Sequence, residues 1–177
     1  VSNTYTLNFS FGTGIVAAGT GILLNNEMDD FSSKPGVPNA FGLVGGKANA
    51  IEGGKRPLSS MTPTIIFKDG KPWLATGTPG GSRIITMVLQ VLLNVIDHGM
   101  NIAEATAAPR VHHQWLPDKL FVERGLSPDT LALLRQRGHN LVISRAAGSV
   151  QSVMTNSKGG FLGVSDSRRL GALAAGY

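Results

Sequence analysis

The stretch that most constrains this chain runs Thr76-Gly77-Thr78-Pro79-Gly80-Gly81-Ser82-Arg83. The apolar segment Trp73-Leu74-Ala75-Thr76 precedes it, and Ile84, Ile85, Val88, Val91, Leu92, Val95 and Ile96 come after it at helical spacing. A strand therefore stops, the backbone turns through two adjacent glycines, and a helix begins. The first amides of a helix lack internal partners and carry partial positive charge. Glycines without side chains leave such amides open to close approach, so the loop suits an anion or a developing oxyanion. An ordinary tight turn that uses glycine for its φ angles explains the same residues, and the loop alone does not separate the two.

At 177 residues the chain can bury one real core, and 42% hydrophobic content suits a globular protein. The 23 glycines point to many tight turns. Charged residues make up only 15%, below the usual quarter, as in chains that hide surface against a partner. The net charge of +5 is scattered, with no basic stripe interleaved with aromatics, so nucleic acid is not an expected partner. Cysteine is absent, which excludes disulfides and thiolate-bound metals. No segment has the ~18 apolar residues of a membrane span, and no signal peptide opens the chain. The opening Val1-Ser2-Asn3-Thr4 has no Met, as in a chain cut from something longer.

In chain order, residues 3–9 alternate like a strand, and short strands are expected at 14–18 and 21–24. Residues 32–56 are rich in Gly, Pro, Ser, Asn and Lys without a period, a long loop of the kind that is usually functional or disordered. Asp69-Gly70 between two apolar runs predicts a hairpin over residues 62–77. The helix from about Ser82 should end near Gly99, and Asn101 with Glu104 reads as a capping box opening a short helix. Ser127-Pro128-Asp129 opens another helix that Gly138 stops. Strands are expected around Phe121-Val122, at 141–144, 150–155 and 161–164. The order predicts one α+β domain over residues 1–177 with antiparallel sheet.

Among groups that could do chemistry, the histidines His98, His112, His113 and His139 show no metal-ligand spacing, and no metal or cofactor is expected. His112 and His113 would point to opposite sides of an extended segment. Glu27, Asp29 and Asp30 come after an apolar run and could hold an ammonium, or form a solvated, Asx-capped turn. Ser59-Ser60 could hold a carboxylate, act as a nucleophile, or cap a turn; no G-x-S-x-G elbow is present.

Taken together, Thr4-Tyr5-Thr6-Leu7-Asn8, Gly21-Ile22-Leu23-Leu24-Asn25-Asn26-Glu27-Met28-Asp29-Asp30-Phe31, Lys55-Arg56-Pro57-Leu58-Ser59-Ser60-Met61-Thr62-Pro63 and Gly80-Gly81-Ser82-Arg83-Ile84 closely resemble the small subunit of the gamma-glutamyltranspeptidases, bacterial ones above all. Ala108-Pro109-Arg110 with His112-His113-Gln114 fits as well, so the resemblance covers nearly the whole chain in order. It implies half of a four-layer αββα N-terminal-nucleophile hydrolase with antiparallel sheets, completed by a large subunit cut from the same precursor. The implied reaction moves the gamma-glutamyl group of glutathione-like compounds, through a threonine acyl-enzyme, to water or to an amino-acid or peptide acceptor. The resemblance also implies a periplasmic or secreted location.

Residue by residue, Thr6 matches the family's second threonine, which bonds the nucleophile's hydroxyl. Asn8, Glu27 and Asp30 match the binders of the α-amine, and Ser59 and Ser60 those of the α-carboxylate. Gly80 and Gly81 match the oxyanion-hole amides, and residues 35–46 the lid loop. Phe41 stands where some bacterial members carry a tyrosine that helps close the pocket. The nucleophilic threonine is expected about a dozen residues before Val1, outside these 177 residues, and neither Thr4 nor Thr6 aligns with it. Two alternatives are a cephalosporin (glutaryl) acylase of the same superfamily, which needs no acid at Asp30, and a non-catalytic relative without the nucleophile. A phosphate-binding module on Gly80-Gly81 would want a Walker lysine or a G-x-G-x-x-G spacing, and neither is present.

Overall fold

The computed structural model describes residues 1–4 and 6–176, so Tyr5 of the first motif lies outside the described residues. The chain falls into two compact units, Val1–Asn3 with Met61–Tyr177, and Thr4–Ser60.

In the larger unit, the Asp69-Gly70 turn takes positive φ at both residues (51° and 72°), the mirror-image turn whose twist suits a tight hairpin. It joins β1 (Thr64–Lys68) to β2 (Lys71–Gly77), as the sequence predicts. The register jumps from Phe67↔Pro72 to Ile66↔Leu74, leaving Trp73 as a bulge. β2 pairs with β6 (Gln151–Thr155) and β6 with β7 (Phe161–Ser165), giving an antiparallel sheet in the order β1-β2-β6-β7. Helix α1 (Arg83–Ile96) and the short α2 (Ile102–Ala107) cover its inner face. Leu74, Val91, Val95, Ile102, Ala105 and Val150 form the core there. Each large apolar side chain removed from water contributes about 1.5–3 kcal/mol, which is what holds a helix of this length to a sheet. The expected capping box is present: Asn101 Oδ1 accepts from the amides of Ala103 and Glu104, and Glu104 Oε2 accepts from the Asn101 amide.

A second sheet contains β3 (Val111–His112), β4 (Leu120–Glu123) and β5 (Leu141–Ser144). β3 and β4 are antiparallel, but β4 and β5 run parallel, which departs from a purely antiparallel expectation. The reason is α3 (Pro128–Gln136), capped by Ser127: a helix between two paired strands returns the chain to the same end of the sheet. A buried ion network secures this sheet. Arg110 Nη2 donates to Asp166 Oδ2 (2.8 Å) and to the Thr106 carbonyl (2.6 Å), and Arg168 Nη2 donates to Glu123 Oε2 (2.7 Å). Burial pushes the Glu123 carboxyl up, yet Arg168 and the amides of Ala147 and Arg110 outweigh it, and its pKa falls below the ordinary value. The Ala108-Pro109-Arg110 motif therefore has a structural occupation.

The smaller unit is mostly loop. The strand expected over residues 3–9 does not form among the described residues. Phe9 turns the chain with φ 59°, Asn8 spends its amide on the Asn26 side chain (2.8 Å), and the Asn8 carbonyl accepts from Gly12, so no edge remains for a ladder. The strands expected at 14–18 and 21–24 shrink to one antiparallel bridge, Val16↔Leu23. Two 3₁₀ turns, Glu27–Asp30 and Lys47–Asn49, and the bridges Ser32↔Ala50 and Pro38↔Val44 organise the rest of this unit. Among the described residues, no helix is long and apolar enough to cross a membrane.

Candidate active site

Most of the expected site residues fall in the smaller unit. Glu27 and Asp30 are the two ends of one 3₁₀ turn, which brings their carboxyls into hydrogen-bonding reach. The Asp30 hydrogen bond, then burial, then the Asp30 charge lift the Glu27 pKa from 4.5 to about 7. Glu27 Oε1 is enclosed and has no hydrogen-bond partner among the described residues. Asn8 Nδ2 donates to Asp30 Oδ1 (3.0 Å), so all three residues expected to bind an amine meet. An acceptor-rich cluster in which one carboxyl keeps its proton to near neutrality is poised for a cation, whose arrival lets both carboxyls ionise.

Ser59, exposed, and Ser60, half-buried, end this unit. Asn49 ties them to the acids: its Nδ2 donates to the Asp30 carbonyl (2.7 Å), and its Oδ1 accepts from the amide of Leu58 (2.8 Å). Phe41 stacks on Phe9 with centroids 5.4 Å apart and planes 8° from parallel. The turn carrying Phe41 is closed by Asn39, whose Oδ1 accepts from the amides of Phe41 (2.9 Å) and Leu43 (3.0 Å). Thr6 is exposed, and its hydroxyl donates weakly to the Leu7 carbonyl (3.4 Å).

Gly80 and Gly81 belong to the larger unit. Their φ angles are 150° and 58°, both in regions that side chains avoid. A Cβ at Gly80 would also collide with the Met87 methyl. The turn therefore needs glycine at both positions on conformational grounds. Ser82 sits next, at the N-cap, without capping the helix. Its hydroxyl donates sideways to Gln114 Oε1 (2.8 Å), which also faces His112 Nε2 (2.9 Å), while His112 Nδ1 meets Thr86 Oγ1 (2.8 Å). His112 is 6% exposed, and burial, against the opposing Gln114 hydrogen bond, lowers its pKa. His113 faces out toward Asp118, so the two neighbours do diverge as expected. Sequence reasoning missed Asn49, Gln114 and Ser82. Asn49 sits in an aperiodic loop with no local signal, and Ser82 and Gln114 appear in the sequence only within longer motifs, with no role of their own.

Residues 1–176 match the family model described as gamma-glutamyltranspeptidase. The chain belongs to the gamma-glutamyltranspeptidase family. It is 64% identical, over its full length, to the glutathione hydrolase proenzyme of Escherichia coli K12, and 50% identical to that of Pseudomonas sp. A14. It spans 30% and 32% of those proteins, about a third of their length. The Helicobacter pylori gamma-glutamyltranspeptidase T380A mutant superposes with a TM-score of 0.91 at 54% identity, covering 96% of this chain and 93% of that one. The α+β fold expected from the resemblance is therefore the fold of gamma-glutamyltranspeptidase structures.

Proposed function

We propose that this chain is the small-subunit part of an enzyme that hydrolyses glutathione-like gamma-glutamyl compounds or transfers their glutamyl group to an amino acid or peptide. The observation that carries this reading is the Glu27–Asp30 carboxyl pair with Asn8 bound to it. It suits the α-ammonium of a glutamyl group, with Ser59 and Ser60 taking the α-carboxylate and Phe41, in the lid loop 35–46, closing over the donor. A glutaryl group lacks that amine, so a cephalosporin acylase would leave the acid pair without a counterion.

In the reaction so proposed, a threonine outside these 177 residues attacks the gamma-carbonyl carbon, with Thr6 bonding its hydroxyl. Negative charge grows on the carbonyl oxygen, where the amides of Gly80 and Gly81 stabilise it. The amide C–N bond then breaks and the amine leaves with the proton taken from the hydroxyl; water or an acceptor amine next attacks the ester carbonyl, the ester C–O bond breaks, and the attacking group's proton returns to the threonine oxygen. No cofactor takes part in these steps. The partner is a large subunit from the same precursor, consistent with relatives named proenzymes. Exposed Ile85, Leu89, Leu93 and Ile96 form one apolar stripe along α1, which supports a polypeptide partner there. By the same resemblance the enzyme works in the periplasm or outside the cell.

The test is the full-length protein carrying this chain, assayed for amine release from a gamma-glutamyl anilide and from the matching glutaryl anilide. Preference for the glutamyl compound is expected. No release from either, with a mass-verified N-terminal threonine, would sink the enzymatic reading and favour a non-catalytic relative.

A further inference from the structure

Asp30 is held from two directions. Asn8 grips its carboxylate, and Asn49 Nδ2 grips its backbone carbonyl at 2.7 Å. The other end of the same Asn49 amide accepts from the Leu58 N–H at 2.8 Å, one residue before Ser59. Asn49 is itself anchored, since its carbonyl accepts from the Ser32 amide (2.8 Å) and its amide donates to the Gly46 carbonyl (3.2 Å). A planar carboxamide has its donor and acceptor at fixed separation and direction. One rigid group thus links the segment bearing the acids, 19 residues before it, to the segment bearing the paired hydroxyls, reached at Leu58 nine residues after it.

We propose that Asn49 is a positioning residue that sets the span between the acid side and the hydroxyl side of the head-group site, and so its selectivity for ligands carrying an amine and a carboxylate on one carbon. This rests on the functional reading above and deepens it. Asn49 acts through Asp30 on one side and Ser59-Ser60 on the other. When the link is present, an α-amino acid engages both sides at once; when it is cut, each side still binds its own group, but the two-point gain is lost.

The experiment uses the full-length protein with Asn49→Leu, which keeps the side chain's shape and removes both hydrogen bonds. L-Glutamate and glutarate, which lacks the amine, are titrated as competing ligands, and steady-state turnover of a gamma-glutamyl anilide is measured beside them. The preference for L-glutamate over glutarate should fall roughly tenfold, the factor expected for losing a hydrogen bond that holds a binding geometry. KM for the anilide should rise by a similar factor with kcat within about twofold, because the oxyanion turn is untouched. A residue with a merely structural role would lower thermal stability and leave the glutamate-to-glutarate ratio where it was; that result overturns the inference. Should Asn49→Leu fail to fold, Asn49→Gln keeps both polar groups at a longer reach, and an unchanged ratio in that variant overturns it equally. A wild type that binds neither ligand and releases no amine overturns the functional reading, and this inference with it.

Discussion

If Glu27 and Asp30 seat the donor's ammonium as proposed, binding of the donor depends on pH through Glu27. Its carboxyl, hydrogen-bonded to Asp30, keeps its proton up to about pH 7 in the free protein. An ammonium seated between the two acids favours both being ionised, so binding expels that proton. Two pH units below about 7, roughly one Glu27 in a hundred is ionised, and each unit is worth a factor of ten in affinity at most. The pair is only part-buried, and solvent screening brings the expected loss between about pH 8 and pH 5 to roughly ten- to thirtyfold. The assay is the inhibition constant of L-glutamate on the full-length protein across that range, together with calorimetry in two buffers of different ionisation enthalpy to count the released proton. Glu27→Gln should flatten the acid limb and release no proton. The unliganded fold gives an independent sign. The native state holds a proton that the unfolded chain releases near 4.5, so stability declines as pH rises from there through about 7. Glu27→Gln should therefore stabilise the free protein above neutrality. An acid limb that survives in Glu27→Gln, or a wild type with none, would refute the reasoning.

Three further outcomes are expected. Gly80→Ala forces a side chain into φ 150° and against Met87, and should lower kcat by about a hundredfold or more while KM for the donor changes little. Gln114→Met cuts Ser82 from His112 and should cost about 1–2 kcal/mol in urea unfolding, with Ser82→Ala adding little on top; additive losses in the double variant would show that the two do not act as one unit. Asp166→Asn leaves Arg110, 4% exposed, without its carboxylate and should cost about 3–5 kcal/mol in urea unfolding, whereas Asp118→Asn on the surface should cost under about 0.5. The carboxyls of Asp166 and Glu123 sit below their ordinary pKa values, although burial alone would raise them. Their contribution is thus present at neutral pH and lost as pH falls through the folded-state values.

Local signals carried far in the larger unit. The Asp69-Gly70 hairpin, the Asn101–Glu104 capping box and the α1 periodicity each depend on residues within a few positions of one another, and each formed as read. The smaller unit resisted for the complementary reason. Residues 3–9 alternate like a strand, yet a strand needs an edge to pair with, and the Asn8 amide found the Asn26 side chain instead. The parallel β4–β5 pair was likewise invisible, because direction is settled by where α3 returns the chain.

The amino-acid order alone determined the chemistry of the parts: acids at 27 and 30, hydroxyls at 59 and 60, glycines where φ must be positive. Tertiary structure decided how those parts are held. Asn49 bridging Asp30 to Leu58, Ser82 leaving its cap for Gln114, and Arg110 paired with Asp166 all join residues that are not neighbours in the chain. A hydrogen bond of that kind leaves no period and no turn signature, because its partners are chosen by the folded backbone and not by neighbours in sequence.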